Sequence, residues 1–240
     1  MKLRIKFSKT GNLMYISHLE VMRYFQKACK RAGLDMSYSQ GFNPHQIMSF
    51  ASPLGTGLTS SGEYMDIEVN SCENTARMID RLNAVMSPDI RVLNVVRLPD
   101  NNKAAMAELS ACGYRVTVSD ELREKLSALR PIRETLTLLR KESQLIVKRK
   151  TKSREGELDI RPMIFSCLYR DEGFNMMLAS GSARHLKPEP VLDVIFGFCG
   201  LDMKAEELLL KGEIHIHRTD MYAEQGTEFV PLDSLGEVME

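Results

Sequence analysis

The sequence contains no tryptophan and 7% aromatic residues, and no apolar run in it approaches the roughly 20 residues that a membrane-spanning helix needs. Neither sign of charge is in excess, since 32 Lys and Arg stand against 32 Asp and Glu. This balance excludes a cationic coat over the whole surface but permits a local basic patch. The opening MKLRIKFSK alternates charged and apolar residues, whereas a signal peptide needs an unbroken apolar stretch there. We therefore expect a cytoplasmic protein that does not associate with a membrane.

Closely spaced cysteines are also missing. The five cysteines lie far apart in the chain, so that no CxxC, CxxxC or CxxH motif exists. Zinc ribbons and iron–sulfur clusters usually take two ligands from one short turn. His215 and His217 share one face of a predicted strand with Glu213, but a single strand supplies too few ligands for a metal ion. We therefore predict no metal and no cofactor, and we expect the cysteines to be reduced thiols of the core.

The first hundred residues predict the order β-α-β-β-α-β. The segment KLRIKFSK alternates apolar and polar residues, which is typical of a half-buried strand. A helix then begins after Ser17, which has Glu20 three residues on as in a capping box, and ends at Gly33. The further elements are extended segments at 36–40 and 45–52, a strand at 63–69, a helix at 74–86 and a strand at 89–98. This order defines the ferredoxin-like unit.

The rest of the chain repeats that order after the polar segment LPDNNK (98–103). Its elements are a strand at 113–118, a helix at 120–141 interrupted at Pro131, a strand at 144–148, a charged loop at 148–157, a hairpin at 158–180, a helix at 188–199 and a strand at 213–218. We therefore expect an α+β protein built of tandem ferredoxin-like domains with antiparallel sheets. The predicted domains are residues 1–100 and 101–222, followed by an acidic tail at 223–240.

Two histidines are candidate catalytic residues. His18 lies near the start of the first helix, where the helix dipole lowers the pKa of an imidazole and can present it to an anion. His45 lies in a long segment of glycines, prolines and hydroxyl residues at 39–64, whose backbone can approach a phosphate closely. Four residues of this segment are candidates for substrate binding: Gln40, Gly41, Asn43 and His45. No GxxxxGK[ST] or GxGxxG motif is present, so a nucleotide cofactor is not indicated.

The strongest local charge lies in VKRKTKSRE (147–155). Five cations fall within seven residues: Lys148, Arg149, Lys150, Lys152 and Arg154. This density suits contacts to a phosphate backbone, although a solvated loop has the same composition. In the adjoining DIRP, Asp159 and Arg161 lie two residues apart on one strand face, and we expect them to bind or orient the substrate.

The segments SHLEVMR, YSQGFNPHQIMSFASPLG and DIRP resemble the radical-SAM-linked domain family, and the resemblance extends over nearly the whole chain. Members of that family, whose activity has no assignment, occur alone or fused behind a radical SAM and cobalamin-binding enzyme. The resemblance implies a radical SAM enzyme as partner and the bacterial cytoplasm as location. Because this chain has no CxxxCxxC motif, it looks like the accessory half. In architecture the first half is also similar to the RNA-processing endonucleases of CRISPR systems.

Three functions follow as hypotheses. The first is an accessory binding module that presents an RNA or RNA-associated substrate to a partner radical SAM enzyme. The second is a metal-independent endoribonuclease with His18 or His45 as general acid or base, since such cleavage needs an imidazole near the 2′-oxygen and a cation for the phosphate. The third is a protein–protein adaptor that binds no nucleic acid. A strong salt dependence of RNA binding separates the first two from the third.

Overall fold

The computed structural model describes residues 1–72, 74–150 and 155–240. It is a mixed α+β structure whose paired strands run mostly antiparallel, which confirms the α+β class and the antiparallel pairing that the sequence predicts. The chain divides into two compact units. The first comprises Met1–Ala111 together with Arg218–Glu240, and the second comprises Cys112–His217.

The helices and strands of both units have the following bounds. In chain order they are β1 (Lys2–Lys9), α1 (His18–Arg31), β2 (Met48–Phe50), β3 (Thr59–Glu68), α2 (Thr75–Ala84), β4 (Ile90–Arg97), α3 (Ala105–Glu108), β5 (Leu109–Val118), α4 (Asp120–Leu129), α5 (Ile132–Lys141), β6 (Ile146–Lys150), β7 (Glu155–Asp159), β8 (Ile164–Arg170), β9 (Gly173–Ala179), α6 (Pro188–Cys199), α7 (Ala205–Leu210), β10 (Ile214–Gln225) and β11 (Glu228–Pro231). Short 3-10 helices lie at Gly11–Tyr15, Arg161–Met163 and Leu232–Leu235.

In the first unit β1 lies between β4 and β3 and pairs antiparallel with both. β2 and β10 also neighbour β3, and β2 pairs with it antiparallel. Helix α1 begins where the sequence predicts, because Ser17 accepts a hydrogen bond from the backbone N–H of Glu20 while the Glu20 carboxylate accepts one from the backbone N–H of Ser17. The predicted capping box is thus confirmed.

One face of this sheet carries the apolar core. Leu3, Ile5 and Phe7 of β1 are buried and pack into one cluster with residues of α1 and α2 such as Phe25 and Leu82. The rings of Phe7 and Phe25 meet edge to face with their centroids 4.7 Å apart. The alternation in KLRIKFSK therefore places the apolar half of β1 against the helices, as a period of two requires.

The opposite face is polar and is closed by later parts of the chain. The guanidinium of Arg4 is fully buried and donates to both carboxylate oxygens of Asp66, at 2.7 and 3.0 Å, and to Glu108 at 2.8 Å. It also donates to the carbonyl oxygen of Leu232, a residue that is itself fully buried. We call Arg4, Asp66 and Glu108 the Arg4 network. It fastens the C-terminal segment onto this face.

Residues 223–240 consequently group with the first unit instead of forming a separate acidic tail. β11 folds back onto β10, and Arg97 of β4 exchanges two backbone hydrogen bonds with Glu237, at 2.7 and 2.9 Å. The physical reason is that the buried Arg4 side chain needs acceptors, and the carbonyl oxygen of Leu232 is one of them.

In the second unit the helix predicted over 120–141 is divided into α4 and α5 on either side of Pro131, because the proline ring interrupts helical hydrogen bonding. Of the charged loop predicted at 148–157, residues 148–150 and 155–157 lie in strands, because β6 and β7 pair antiparallel with Lys148 opposite Glu157 and Lys150 opposite Glu155. Residues 151–154 lie outside the described residues. Opposite charges that face each other across two strands favour the pairing of those strands. The composition of one strand alone does not reveal this.

Candidate functional site

Three charged side chains lie buried at one end of the apolar face of the first unit. Lys9, Glu63 and Arg218 are only 2%, 4% and 3% exposed. With the half-buried His18 they form what we call the Lys9 cluster. A small pocket opens at the cluster and is lined by Lys9, His18 and Glu63 together with apolar side chains that include Phe50.

Arg218 and Glu63 form the ion pair of the cluster. One terminal guanidinium nitrogen of Arg218 lies 3.1 Å from each carboxylate oxygen of Glu63. The guanidinium also donates to the carbonyl oxygens of Ser52 and Pro53, at 3.2 and 3.3 Å. Burial raises the pKa of the Glu63 carboxyl, while the positive charges of Arg218 and Lys9 act in the opposite direction. The pair therefore ties the segment before β3 to β10.

Lys9 anchors the entrance to α1. Its ammonium donates to the carbonyl oxygens of Met14 and Ile16, at 3.1 and 2.9 Å. Burial lowers the pKa of Lys9, and Glu63 opposes this by favouring the charged form. An ammonium has three N–H donors, so two of them hold the turn at Gly11–Tyr15 and one remains for the pocket.

His18 is the titratable group at the rim. Partial burial lowers the pKa of its imidazole, and the positive charge of Lys9 lowers it further, so the ring is neutral at pH 7. The ring packs edge to face on Phe50 with the centroids 5.0 Å apart, and no hydrogen bond engages it within the described part of the chain. The sequence attributed a lowered pKa to the helix dipole. In the structure burial and Lys9 cause it, and the Ser17 capping box already occupies the first turn of the helix.

The charges of the cluster do not balance. Two buried cations, Lys9 and Arg218, stand against one buried carboxylate, Glu63, and the exposed Glu20 at the start of α1 is the further carboxylate that acts on Lys9. A buried positive charge without a matched carboxylate is costly unless a polar or anionic group compensates it. The arrangement can hold a small anionic group such as a phosphate oxygen against Lys9 and the imidazole of His18.

The substrate-binding residues predicted in the first half lie in a hydrogen-bonded loop. The Ser39 hydroxyl lies 2.8 Å from Nδ1 of His45 and 3.1 Å from its backbone nitrogen, and the backbone N–H of Ser39 donates to the carbonyl oxygen of His45 at 2.9 Å. We call residues 39–45 the Phe42 loop, because the Phe42 side chain at its tip is fully exposed. The predicted binding residues of the loop are all exposed: Gln40, Gly41, Asn43 and His45.

The two candidate histidines have different environments. His18 belongs to the Lys9 cluster, whereas the exposed His45 closes the Phe42 loop through Ser39. No contact joins the two rings among the residues that the structure describes. The chain runs from the loop through β2 to Phe50, which contacts His18, so the loop leads directly to the rim of the cluster.

The basic candidates of the second half are only partly described. Lys148 is exposed on β6, and Arg149 and Lys150 belong to the same strand. Lys152 and Arg154 lie outside the described residues. The strand register sets Glu157 opposite Lys148 and Glu155 opposite Lys150.

Asp159 and Arg161 do not form the side-chain pair that the sequence suggests. The carboxylate of Asp159 accepts from the backbone N–H groups of Leu145 and Arg161, at 2.9 and 3.0 Å. It therefore caps the turn between β7 and the 3-10 helix that starts at Arg161. Arg161 also lines a cavity of the second unit.

Sequence reasoning missed Lys9, Glu63 and Arg218, although a signal was present. Each lies at one end of an alternating apolar series. Lys9 follows Leu3, Ile5 and Phe7, Arg218 follows Ile214 and Ile216, and Glu63 precedes Met65 and Ile67. A charge in register with buried apolar residues predicts a buried charge, because alternate residues of a strand share a face.

Within residues 1–72, 74–150 and 155–240 no cluster of three or more His, Cys, Asp or Glu has the arrangement of a metal site. Across the same residues, every helix is too short or too polar to cross a membrane.

Comparison with known proteins places the chain in one family. No curated protein matches it with significance. The family model described as an uncharacterized protein conserved in bacteria, DUF2344, matches residues 2–188, which include all of the Lys9 cluster except Arg218. Because this match covers most of the 240 residues, the chain belongs to the bacterial family DUF2344.

Proposed function

We propose that the chain is a cytoplasmic accessory module that holds a single-stranded RNA, or a substrate carried on RNA, for a partner radical SAM enzyme. The observation that carries the RNA half of this proposal is the excess of buried positive charge in the Lys9 cluster beside the exposed aromatic Phe42 loop. The partner half rests on the sequence resemblance to the radical-SAM-linked domain family.

The Lys9 cluster would bind one phosphate group. The third N–H donor of Lys9 and the imidazole of His18 line the same pocket, and both suit a phosphate oxygen. Because the pocket itself is small, it fits the oxygen atoms of a backbone phosphate and excludes a base. A single phosphate contact positions a strand without reading its sequence.

The Phe42 loop would bind the bases. The rings of Phe42, Tyr38 and His45 are exposed on it or next to it, and unpaired bases stack on such rings in proteins that recognise single-stranded RNA. The polar sheet face of the first unit is an unsuitable platform, since the Arg4 network and the Leu232–Leu235 helix close it. The loop and the cluster together therefore form the more suitable surface.

The proposal includes a tandem of two ferredoxin-like units. The first β-α-β-β-α-β repeat has the strand order β4-β1-β3 with β2 paired to β3. The second repeat would consist of β5, β8, β9 and β10, which follow the order β10-β5-β9-β8, although most of β10 groups with the first compact unit. In each case the first of the four strands lies between the fourth and the third, which is the arrangement that a β-α-β-β-α-β chain produces. The β6–β7 hairpin is then an insertion in the second unit.

The test is a titration of fluorescein-labelled single-stranded oligouridylate by anisotropy at several salt concentrations. Stacking contributes about 1–3 kcal/mol per base, so Phe42→Ala should weaken binding by about tenfold or more. Leu210→Ala is the matched control, because Leu210 is also a highly exposed apolar residue and lies in the second unit. The slope of log affinity against log salt should be about −0.7 per phosphate contact. Equal affinities of the two variants and the parent would contradict the proposal.

One observation favours an endoribonuclease as the second candidate. The imidazole of His18 is neutral, half-buried and next to a cation, which suits a general base at a 2′-hydroxyl. Incubation of the protein with a labelled oligouridylate and with its 2′-deoxy analogue distinguishes the two functions. Cleavage of the ribose strand alone, abolished in His18→Gln, identifies the enzyme, whereas binding of both strands without cleavage identifies the binding module.

A further inference from the structure

An apolar cavity of the second unit has no role in the function proposed above. It measures about 330 Å³ and lies between α5, β8 and α6. This volume is within the range that small-molecule sites occupy. Its apolar walls come from all three elements: Leu136, Leu139, Ile164, Leu168, Val191 and Ile195.

The charged groups of the cavity are two arginines. Arg140 donates one hydrogen bond, at 3.3 Å, to the carbonyl oxygen of Cys167. Arg161 makes no side-chain hydrogen bond or ion pair with any residue that the structure describes, since the nearby Asp159 is engaged by backbone N–H groups. Among the residues that the structure describes, no Asp or Glu lines the cavity. Two guanidinium groups at an apolar cavity thus lack a carboxylate to match them.

The thiol at the cavity does not change this balance. Burial raises the pKa of Cys167 to about 12, although the positive charge of Arg140 acts in the opposite direction. Cys167 therefore remains a neutral thiol at physiological pH and adds no negative charge to the site.

An adjoining groove extends the positive charge. It measures about 270 Å³ and shares Leu136, Arg140 and Leu168 with the cavity. Arg133 and Arg170 also line it, and no carboxylate from the described part of the chain does. Apolar walls that end in several arginines match a molecule with an apolar body and an anionic head, because guanidinium groups bind carboxylate and phosphate in a fork geometry.

We propose that the cavity between α5, β8 and α6 binds a small amphiphilic anion, whose apolar body fills the cavity and whose phosphate or carboxylate head contacts Arg161 and Arg140. The head group decides the orientation, since the two arginines are the charged residues among a mostly apolar lining. This site is in the second unit and uses no residue of the Lys9 cluster or the Phe42 loop.

Isothermal titration of the full chain with octyl phosphate, nonanoate and octanol, each below its micellar concentration, tests the proposal. We expect at least one of the two anions to bind at a single site and octanol to bind at least tenfold more weakly. The stronger of the two anions identifies the head group. Equal binding of octanol and of the anions, or no binding of either anion, would overturn the proposal.

Variants locate the site. Arg161→Leu should weaken binding of the preferred anion by about tenfold or more, because it removes a charge-assisted hydrogen bond. Arg184→Leu is the matched control, since Arg184 is an exposed arginine of the same unit outside both grooves. Val194→Phe should fill the cavity and weaken binding of the anions and of octanol alike. If Arg161→Leu and Arg184→Leu bind the anion equally, Arg161 does not hold the head group and the proposal is wrong.

Discussion

The first unit buries two arginines, and their surroundings differ. Arg4 faces Asp66 and Glu108 and donates to the carbonyl oxygen of Leu232, so its charge is matched and its donors are occupied. Arg218 pairs with the carboxylate of Glu63, on which the charge of a second buried cation, Lys9, also acts. Glu63 and Asp66 are three residues apart on β3, so alternation places them on opposite faces of the sheet. β3 thus contributes Asp66 to the Arg4 network on one face of the sheet and Glu63 to the Lys9 cluster on the other face.

This difference indicates which group of buried charges stabilises the fold and which is available to a ligand. A buried network with all partners present holds the fold and offers nothing to a ligand. A cluster with an excess of one charge and an opening at its rim retains a capacity to bind the opposite charge. We therefore expect changes to the Arg4 network to affect stability, and changes to the Lys9 cluster to affect binding and protonation as well.

The largest effect should come from Arg4→Met. The substitution leaves Asp66 and Glu108 without their cation, and removal of one partner of a buried ion pair typically costs about 3–5 kcal/mol. Urea unfolding followed by circular dichroism should show this loss in the free energy of unfolding.

Arg97→Met is the control, because Arg97 is exposed and a surface substitution usually changes stability by about 0.5 kcal/mol or less. Arg4→Lys, which retains the charge without the fork, should lose less than Arg4→Met and gives a folded sample if Arg4→Met does not fold. A stability of Arg4→Met equal to that of Arg97→Met would show that the Arg4 network does not hold the fold.

An intermediate effect is expected for Lys9→Met. The carbonyl oxygen of Ile16 loses the donor that Lys9 supplies, and that of Met14 keeps only the backbone N–H of Gly57, so we expect a cost of roughly 1–3 kcal/mol. The loss of the Lys9 charge should also raise the pKa of His18, since that charge lowers it in the parent. Titration of the His18 imidazole by NMR measures the rise.

Lys27→Met removes an exposed lysine of α1 and serves as the control for the loss of one charge. Oligouridylate should bind more weakly to Lys9→Met than to Lys27→Met if the cluster holds a phosphate. A His18 pKa that is the same in both variants would mean that Lys9 does not act on the imidazole.

The smallest effect concerns the pH dependence of stability. The folded-state pKa of His18 lies below the unfolded value of about 6.5, so the unfolded chain binds more protons in the window below that pH. The contribution of the neutral imidazole is therefore fully present above about pH 6.5 and is lost as the pH falls towards the folded-state pKa.

His18→Gln should accordingly lose less stability than the parent when the pH is lowered from neutral to mildly acid, as measured by urea unfolding at several pH values. His45→Gln, which removes an exposed imidazole, should retain the acid sensitivity of the parent. Parallel pH profiles for His18→Gln and the parent would show that His18 is not desolvated in the folded protein.

Local patterns predicted much of the fold. The alternation in β1, the capping box of α1 and the break at Pro131 all depend on neighbours within a few residues, and each is confirmed. Two features of the candidate site, His18 and the Phe42 loop, could also be selected from the sequence, because their residue types stand out. The β6–β7 hairpin was not predictable, because a run of lysines and arginines looks like a loop until the glutamates opposite it are placed in register.

The amino-acid sequence by itself determined that a charged residue stands at one end of each of three alternating apolar series. These residues are Lys9, Glu63 and Arg218. Tertiary structure alone decided that these charges meet, because Glu63 and Arg218 are 155 residues apart and no local rule relates them. The same holds for Arg4 and Leu232, which are separated by 228 residues. A buried charge needs partners, and the chain can supply them from any distance along its length once strand pairing brings them within hydrogen-bond reach.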